Sequence, residues 1–283
     1  MFADLHIHSY YSDGTNSPKE LVEMAAKRNV SVLALSDHDT TEGIEELTSE
    51  ANLKGIGAVP AVEISTSAGG IRIHILGYFI DCNNTGLKNF LREMLTARAE
   101  NTRNMLQKLC SSGQLKYSWD EVLKHRKGRA WISSINVFEA MRQDGYYKGI
   151  DEWKGFYNRY FSKDSGAFSA LDGFTAKDAI EIILQAGGIP VVAHPKLIGD
   201  DSQLEALIKY GLRGIEARYP AHDEDDIKRY IKIARQNNLL VTGGTDWHGD
   251  FTEWGVALGD CGIDEETFSK LKKGACEGNT CGF

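Results

Sequence analysis

Six of the eight histidines in this 283-residue sequence stand among carboxylates, in or at the ends of short apolar runs. His6 and His8 alternate as His-Ile-His, which in an extended segment turns both imidazoles to one face. Asp13 follows in Ser12-Asp13-Gly14. Asp37-His38-Asp39 closes the run SVLALS, Glu63 closes the next run, and His74 lies in the one after it. His194 closes IPVVA, and Asp246-Trp247-His248 follows Val241-Thr242-Gly243-Gly244. Mixed imidazole and carboxylate donors suit Zn, Mn or Fe, and a bridging carboxylate permits two ions about 3.5–4 Å apart. Any one of these histidines alone reads most simply as a satisfied core or surface residue. Six of them in such company point to a metal site.

The elements that must position them alternate. Apolar runs at 3–6, 31–36, 57–64, 71–80, 189–193, 212–218 and 239–243 read as seven strands of a parallel sheet. Amphipathic segments at about 17–28, 41–53, 175–185, 202–210 and 223–236 read as helices between them. Ser17-Pro18-Lys19-Glu20 is a capping box with proline at the first helical position. The C-terminal ends of barrel strands are where α/β barrels assemble their sites. The alternation breaks between residues 82 and 170, where one long helix over 85–109, or two in succession, precedes an aromatic, glycine-containing stretch. That segment is expected to be an inserted, mostly helical small domain over one end of a barrel made from 1–81 and 171–283.

The formal charge of −8 argues against a general grip on long nucleic acid. No apolar run is long enough to cross a bilayer, and the N-terminus lacks the pattern of a signal peptide. The five cysteines are too scattered for a disulfide scaffold and are expected to be reduced; Cys276 and Cys281 are close enough in sequence to pair. A cytoplasmic protein with no membrane partner follows, and no protein partner can be inferred.

Taken together, Asp4-Leu5-His6-Ile7-His8-Ser9 with Asp13-Gly14, Ser36-Asp37-His38-Asp39, Glu63, His74, Ala193-His194-Pro195 and Thr245-Asp246-Trp247-His248-Gly249 resemble the PHP (polymerase and histidinol phosphatase) family of metallohydrolases. The resemblance implies a distorted TIM-like barrel of seven βα units. It also implies two to three divalent ions (Mn, Zn or Fe). A first would be held by His6, His8, Glu63 and Asp246, and Glu63 would bridge to a second on His74 and His194. A third would use Asp13, His38 and His248. Arg72-Ile73-His74-Ile75-Leu76-Gly77, the stretch 214–222 and the stretch 239–249 resemble the small-molecule phosphoesterase branch, which carries a helical insert after the fourth strand. Gly128-Arg129-Ala130-Trp131 stands where that branch often shows Gly-Arg-Pro-His.

The expected activity is hydrolysis of a small phosphate ester: a nucleotide, a nucleoside 3′,5′-bisphosphate or a cyclic sugar phosphate. Metal coordination lowers the pKa of water towards roughly 7, so in-line attack by metal-bound hydroxide needs no phosphoenzyme. Arg129, Lys196 and Arg218 are the candidate phosphate clamps. His222 is a candidate proton donor to the leaving oxygen or a phosphate ligand, while His125 reads as surface. Trp131, Tyr157, Tyr160 and Phe161 read as the core of the insert. Two other classes fit less well. A 5′-to-3′ exonuclease on short RNA would need a basic aromatic groove, for which Lys116, Lys124, Arg126, Lys127 and Arg129 are the available charges. A non-catalytic PHP module would have little reason to keep all nine ligands.

Overall fold

The computed structural model describes residues 1–68, 71–126 and 128–278. Eight strands form one sheet in the order β7-β6-β5-β4-β3-β2-β1-β8. They are β1 Phe2–Ile7, β2 Val32–Leu35, β3 Gly57–Ala68, β4 Ile71–Tyr78, β5 Ile189–Val192, β6 Gly214–Arg218, β7 Leu240–Gly243 and β8 Ile263–Asp264. The segment after β7 turns back onto β1, where the His8 amide donates to the Trp247 carbonyl at 2.8 Å. A bridge between Ile7 and Trp247 lies beside it. The sheet is therefore a nearly closed barrel, as the strand pattern led us to expect.

Alternation along the strands sorts their side chains into two cores. Leu33 and Leu35 of β2 pack with Ile7 against Leu21, Val22 and Ala25 of helix α1 (Pro18–Lys27) and Leu47 and Ala51 of α2 (Ile44–Lys54). Val32 and Ala34 face the other way, joining Ala3, Leu5, Val59, Ala61, Leu76, Tyr78, Ile189 and Val191. Local chemistry fixes the helix starts. Ser17 and Glu20 form the anticipated capping box on α1. Thr175 with Asp178 and Asp223 with Asp226 do the same for α7 and α9 below.

Three features depart from the sequence reading. First, β4 runs antiparallel to both β3 and β5. A parallel crossover needs a dozen or more residues, whereas only residues 69–70 separate these strands, so they pair as a hairpin. Second, Glu63 does not end its strand; β3 continues to Ala68, and the extension pairs with the first half of β4. Third, the C-terminal segment, where the sequence pattern predicts no element, supplies β8 and a terminal helix. Phe268 and Leu271 of that helix enter the barrel core. Their spacing with Ala275 is the helical stripe that gives the element away. Cys276 is disulfide-bonded, contrary to the expected reduced state, while Cys82, Cys110 and Cys261 are free. Cys281 lies outside the described residues.

The chain divides into two compact units, Met1–Leu91 with Phe174–Phe283, and Arg92–Gly173. In chain order the further helices are α3 Thr85–Ser111, α4 Trp119–His125, α5 Ser134–Gln143, α6 Trp153–Tyr160, α7 Ala176–Gln185, α8 Ser202–Lys209, α9 Glu224–Gln236 and α10 Glu265–Gly278. The described residues of the second unit are helical, with a core of rings. Phe156 lies 5.3 Å from Phe138, 5.2 Å from Tyr160 and 5.5 Å from Phe161. Tyr157 packs on Trp153, and Trp131 is buried. No described helix is long and apolar enough to cross a membrane.

Leu271 is fully buried, so Leu271→Ala should cost about 2–5 kcal/mol of stability. Urea denaturation measures this, and a loss below about 1 kcal/mol would mean that α10 does not complete the core.

Candidate metal centre

Glu63 is buried at the centre of the site, and its two oxygens face different neighbours. Oε1 lies 2.9 Å from His74 Nδ1 and 3.1 Å from His194 Nε2. Oε2 lies 3.3 Å from His6 Nε2, 3.3 Å from His8 Nε2 and 3.1 Å from His38 Nδ1. Asp246 Oδ1 joins the second group, 3.2 Å from His6 Nε2 and 3.1 Å from His8 Nε2. Asp13 lies on the far side of His8, 3.3 Å from His248 Nε2 and 3.6 Å from His38 Nε2. The structure thus brings together all nine residues singled out as ligands.

Antiparallel pairing explains how His74 arrives. The site end of β4 is its N-terminal half, so His74 meets Glu63 from the strand's beginning. Backbone strain helps too. His194, Asp246 and the neighbouring Asp39 all sit at positive φ, 30°, 53° and 54°, a conformation costing non-glycine residues about 1–2 kcal/mol each. Such costs persist where surrounding contacts over-determine the backbone. Gly244 permits the approach of the segment after β7, because a Cβ there would lie 2.3 Å from the His6 backbone nitrogen.

The buried acids of the motifs that are not ligands hold the loops. Asp4 accepts from Thr245 Oγ1 at 2.6 Å, Thr245 N at 2.9 Å and Gly259 N at 2.9 Å, fixing the loop that carries Asp246. Asp37 accepts from Ser9 N, Ser9 Oγ and Ser12 Oγ, fixing the loop that carries Asp13. Asp39 accepts from Ser65 N. Sequence reasoning missed two further positions. Tyr219 donates to Asp246 Oδ2 at 3.0 Å, leaving Oδ1 aimed at the histidines. Glu216, fully buried on β6, lies 2.9 Å from His6 Nδ1 and accepts from the His194 amide at 2.8 Å. An acidic residue inside the apolar run GIEAR was the available signal.

The other candidates are more dispersed. Arg218 ends β6 and is exposed; its charge acts on Asp264 and Cys261. Lys196 is engaged by Asp226, Asp223 and the Ala221 carbonyl at the start of α9. His222 is buried against Tyr219 and Tyr230, with Nδ1 2.9 Å from the Ala217 carbonyl. A carbonyl only accepts, so Nδ1 carries the proton, and burial lowers the pKa of the ring. Neutral His222 therefore leaves Nε2, itself buried, as an acceptor. Arg129 belongs to the second unit. His125 contacts Gln143 and Asp144 of that same unit.

Buried polar atoms converge without hydrogen-bond partners at His6 Nε2, His8 Nδ1 and Nε2, Glu63 Oε2 and Asp246 Oδ1. Orphaned groups of this kind are costly unless something satisfies them. Three overlapping sets each place their donor atoms within 4.8 Å of one another: His6, His8, Glu63 and Asp246; His38, Glu63 and His74; His8, Asp13, His38 and His248. Imidazole nitrogens and carboxylate oxygens at this density fit divalent transition metals.

Electrostatics describe the same fit. Burial opposes the charge of Glu63, but the imidazoles of His38, His6 and His74 hold its pKa well below the usual carboxylate range. Burial also opposes protonation of His8, yet the neighbouring carboxylates of Asp246, Glu63 and Asp13 raise it to about 10. His6 is raised as well, against its burial, by Asp246, Glu216 and Glu63. Burial takes His38 down to about 4 despite Asp13 and Glu63. Without metal, protons on His6 and His8 balance the carboxylates.

Residues 4–168, more than half the chain, match the PHP domain family. The chain belongs to the PHP family. PHP relatives of known name align along most of its length. It is 30% identical to the phosphoribosyl 1,2-cyclic phosphate 1,2-diphosphodiesterase of Eggerthella lenta, over 89% of this chain and 95% of the relative. It is also 30% identical to the 3′,5′-nucleoside bisphosphate phosphatase of Chromobacterium violaceum, over 87% of this chain and 86% of the other. A 5′-3′ exoribonuclease of Haemophilus influenzae shares 31% identity over 87% of this chain and 89% of its own. Among solved structures, a Bifidobacterium adolescentis protein assigned as a metal-dependent phosphoesterase superposes with a TM-score of 0.84 at 29% identity, covering 95% of this chain and 94% of its own. PHP membership makes this chain a metal-dependent phosphoesterase.

Because His6 and His8 hold protons in the metal-free protein, divalent metal must displace them. Binding of Mn should release protons and strengthen as pH rises from 6 towards the His8 value of about 10. Calorimetry in buffers of different ionisation enthalpy reads this directly, and buffer-independent heats would contradict it. Gly244→Ala should cost about 1–3 kcal/mol by overpacking and should weaken metal uptake, checked by urea denaturation and metal analysis.

Proposed function

We propose that the chain hydrolyses a small phosphate ester carried on a ribose-type sugar, using two to three divalent ions (Mn, Zn or Fe) held by the nine clustered residues. The observation that carries this reading is the division of Glu63, with one oxygen toward His74 and His194 and the other toward His6, His8 and His38. A carboxylate so placed is suited to bridging. The relatives named above act on a cyclic sugar phosphate, a nucleoside bisphosphate and RNA. Their shared chemistry is phosphate attached to ribose.

Bound there, divalent ions would supply a water acidified towards a pKa of about 7 and would neutralise charge on the phosphoryl group. The chain's own contribution is orientation. Tyr219 stays protonated, since burial and the charge of Asp246 raise its pKa, and so it keeps Asp246 turned inward. His194, held at positive φ, presents Nε2 to Glu63. For phosphate recognition we assign Arg218 first, as the exposed cation on a strand end beside Tyr219. The charge of Lys196 is largely committed to Asp226 and Asp223. His222, with Nε2 bare, suits accepting a hydrogen bond from a substrate hydroxyl or a protonated phosphate.

The test is phosphate release from nucleoside 5′-monophosphates, 3′,5′-bisphosphates, cyclic sugar phosphates and a short 5′-phosphorylated RNA, with Mn present and metal content measured on the same sample. Turnover of one small ester supports the proposal; activity confined to RNA moves it to a 5′-to-3′ exonuclease. A fully metallated protein inactive on the whole panel would overturn it. Asp246→Asn and His194→Ala should each lower kcat by more than about 100-fold, beyond the loss typical of an outer-shell change, with circular dichroism unchanged. Arg218→Ala should raise KM by about 10-fold, the worth of one charge-assisted hydrogen bond, with kcat nearly unaltered.

A further inference from the structure

The two oxygens of Glu216 satisfy two donors that serve different parts of the metal cluster. Oε1 lies 2.9 Å from His6 Nδ1. A carboxylate only accepts, so Nδ1 carries the hydrogen and Nε2 is the atom turned to Glu63 and Asp246. Oε2 accepts the backbone N–H of His194 at 2.8 Å. That residue stands at φ 30° and ψ 59°, and its Nε2 reaches the other oxygen of Glu63. Glu216 is itself fully buried, on the strand between those carrying His194 and the approach to Asp246. It belongs to none of the three donor sets.

We infer that Glu216 is a positioning residue shared by two metal positions: it sets the tautomer of His6 at one and the backbone pose of His194 at the other. This rests on the reading of His6 and His194 as ligands. Orientation of a ligating histidine by a carboxylate is common; here one carboxylate spans two ligands of two positions. Glutamine at this place could not replace it. An amide offers one acceptor face and one donor face, while both neighbours are donors. With its oxygen on His6, the amide NH2 opposes the His194 N–H. With its oxygen on His194, the NH2 forces His6 to accept at Nδ1, which places a hydrogen on Nε2 and removes that donor from the cluster. Whichever way the amide turns, one of the two positions is therefore disturbed, and only loss of the whole side chain removes both acceptors.

The experiment compares wild type, Glu216→Ala, Glu216→Asp and His194→Ala by zinc titration calorimetry. The zinc-loaded wild type is also examined by 15N NMR of its histidine rings. Expected in the wild type is a hydrogen on His6 Nδ1 with zinc on Nε2. Glu216→Ala removes both acceptor oxygens and should weaken zinc at two positions by about 10- to 100-fold, the range typical of lost outer-shell partners. Glu216→Asp keeps both acceptor oxygens and should retain more of the affinity, whereas His194→Ala should weaken one position only. Zinc on His6 Nδ1 in the wild type would overturn the inference without needing any variant to fold. So would Glu216→Ala binding as tightly as wild type, or weakened at one position alone. A wild type that takes up no zinc or Mn would instead overturn the metal reading itself, and this inference with it.

Discussion

A carboxylate buried at the mouth of a barrel is stable only while positive charge or donated hydrogen surrounds it, and the site is organised around that requirement at Glu63. Five histidines from four strands or their ends approach its two oxygens within 3.3 Å. Desolvation alone would neutralise the acid; the imidazoles reverse the balance and keep it ionised. In the metal-free protein the compensating charge is protons on His6 and His8. Divalent ions can take over the same role, so one arrangement serves both the stability of the fold and the demand for metal.

The fold meets this requirement by bringing strands in from both directions. Parallel strands deliver His6, His8, His38 and His194 from their C-terminal ends. The β3–β4 hairpin delivers Glu63 from mid-strand and His74 from the beginning of β4. Closure of the barrel then depends on Asp4, whose carboxylate ties β1 to Thr245 and Gly259. Burial raises Asp4 to about 6, partly offset by those hydrogen bonds. The loop that carries Asp246 and His248 is therefore anchored directly to the strand that carries His6 and His8.

Outside the cluster, the cations suggested by sequence have divergent fates. Lys196 is spent on the start of α9, Arg218 remains exposed, and His222 is buried with its Nδ1 hydrogen committed to a backbone carbonyl. Charge alone does not identify a phosphate clamp, because salt bridges and helix caps recruit the same residue types. Metal ligands are easier to recognise, since several must converge and few other constraints demand that convergence.

By itself the sequence determined the barrel class, the order of seven strands and the nine clustered residues, including the Asp4-to-Ser9 and Thr245-to-Gly249 motifs. These were legible because strand alternation, helix caps and ligand spacing are local patterns. Tertiary structure alone decided the direction of β4, the place of Glu63 within β3, and the insertion of Phe268 and Leu271 into the core. It alone also revealed Glu216 and Tyr219 behind the ligands. The terminal helix, Glu216 and Tyr219 meet groups more than twenty residues away in the chain, and contacts at that separation leave no periodic trace; the β3–β4 hairpin is local, but alternation along a strand reads the same in either direction.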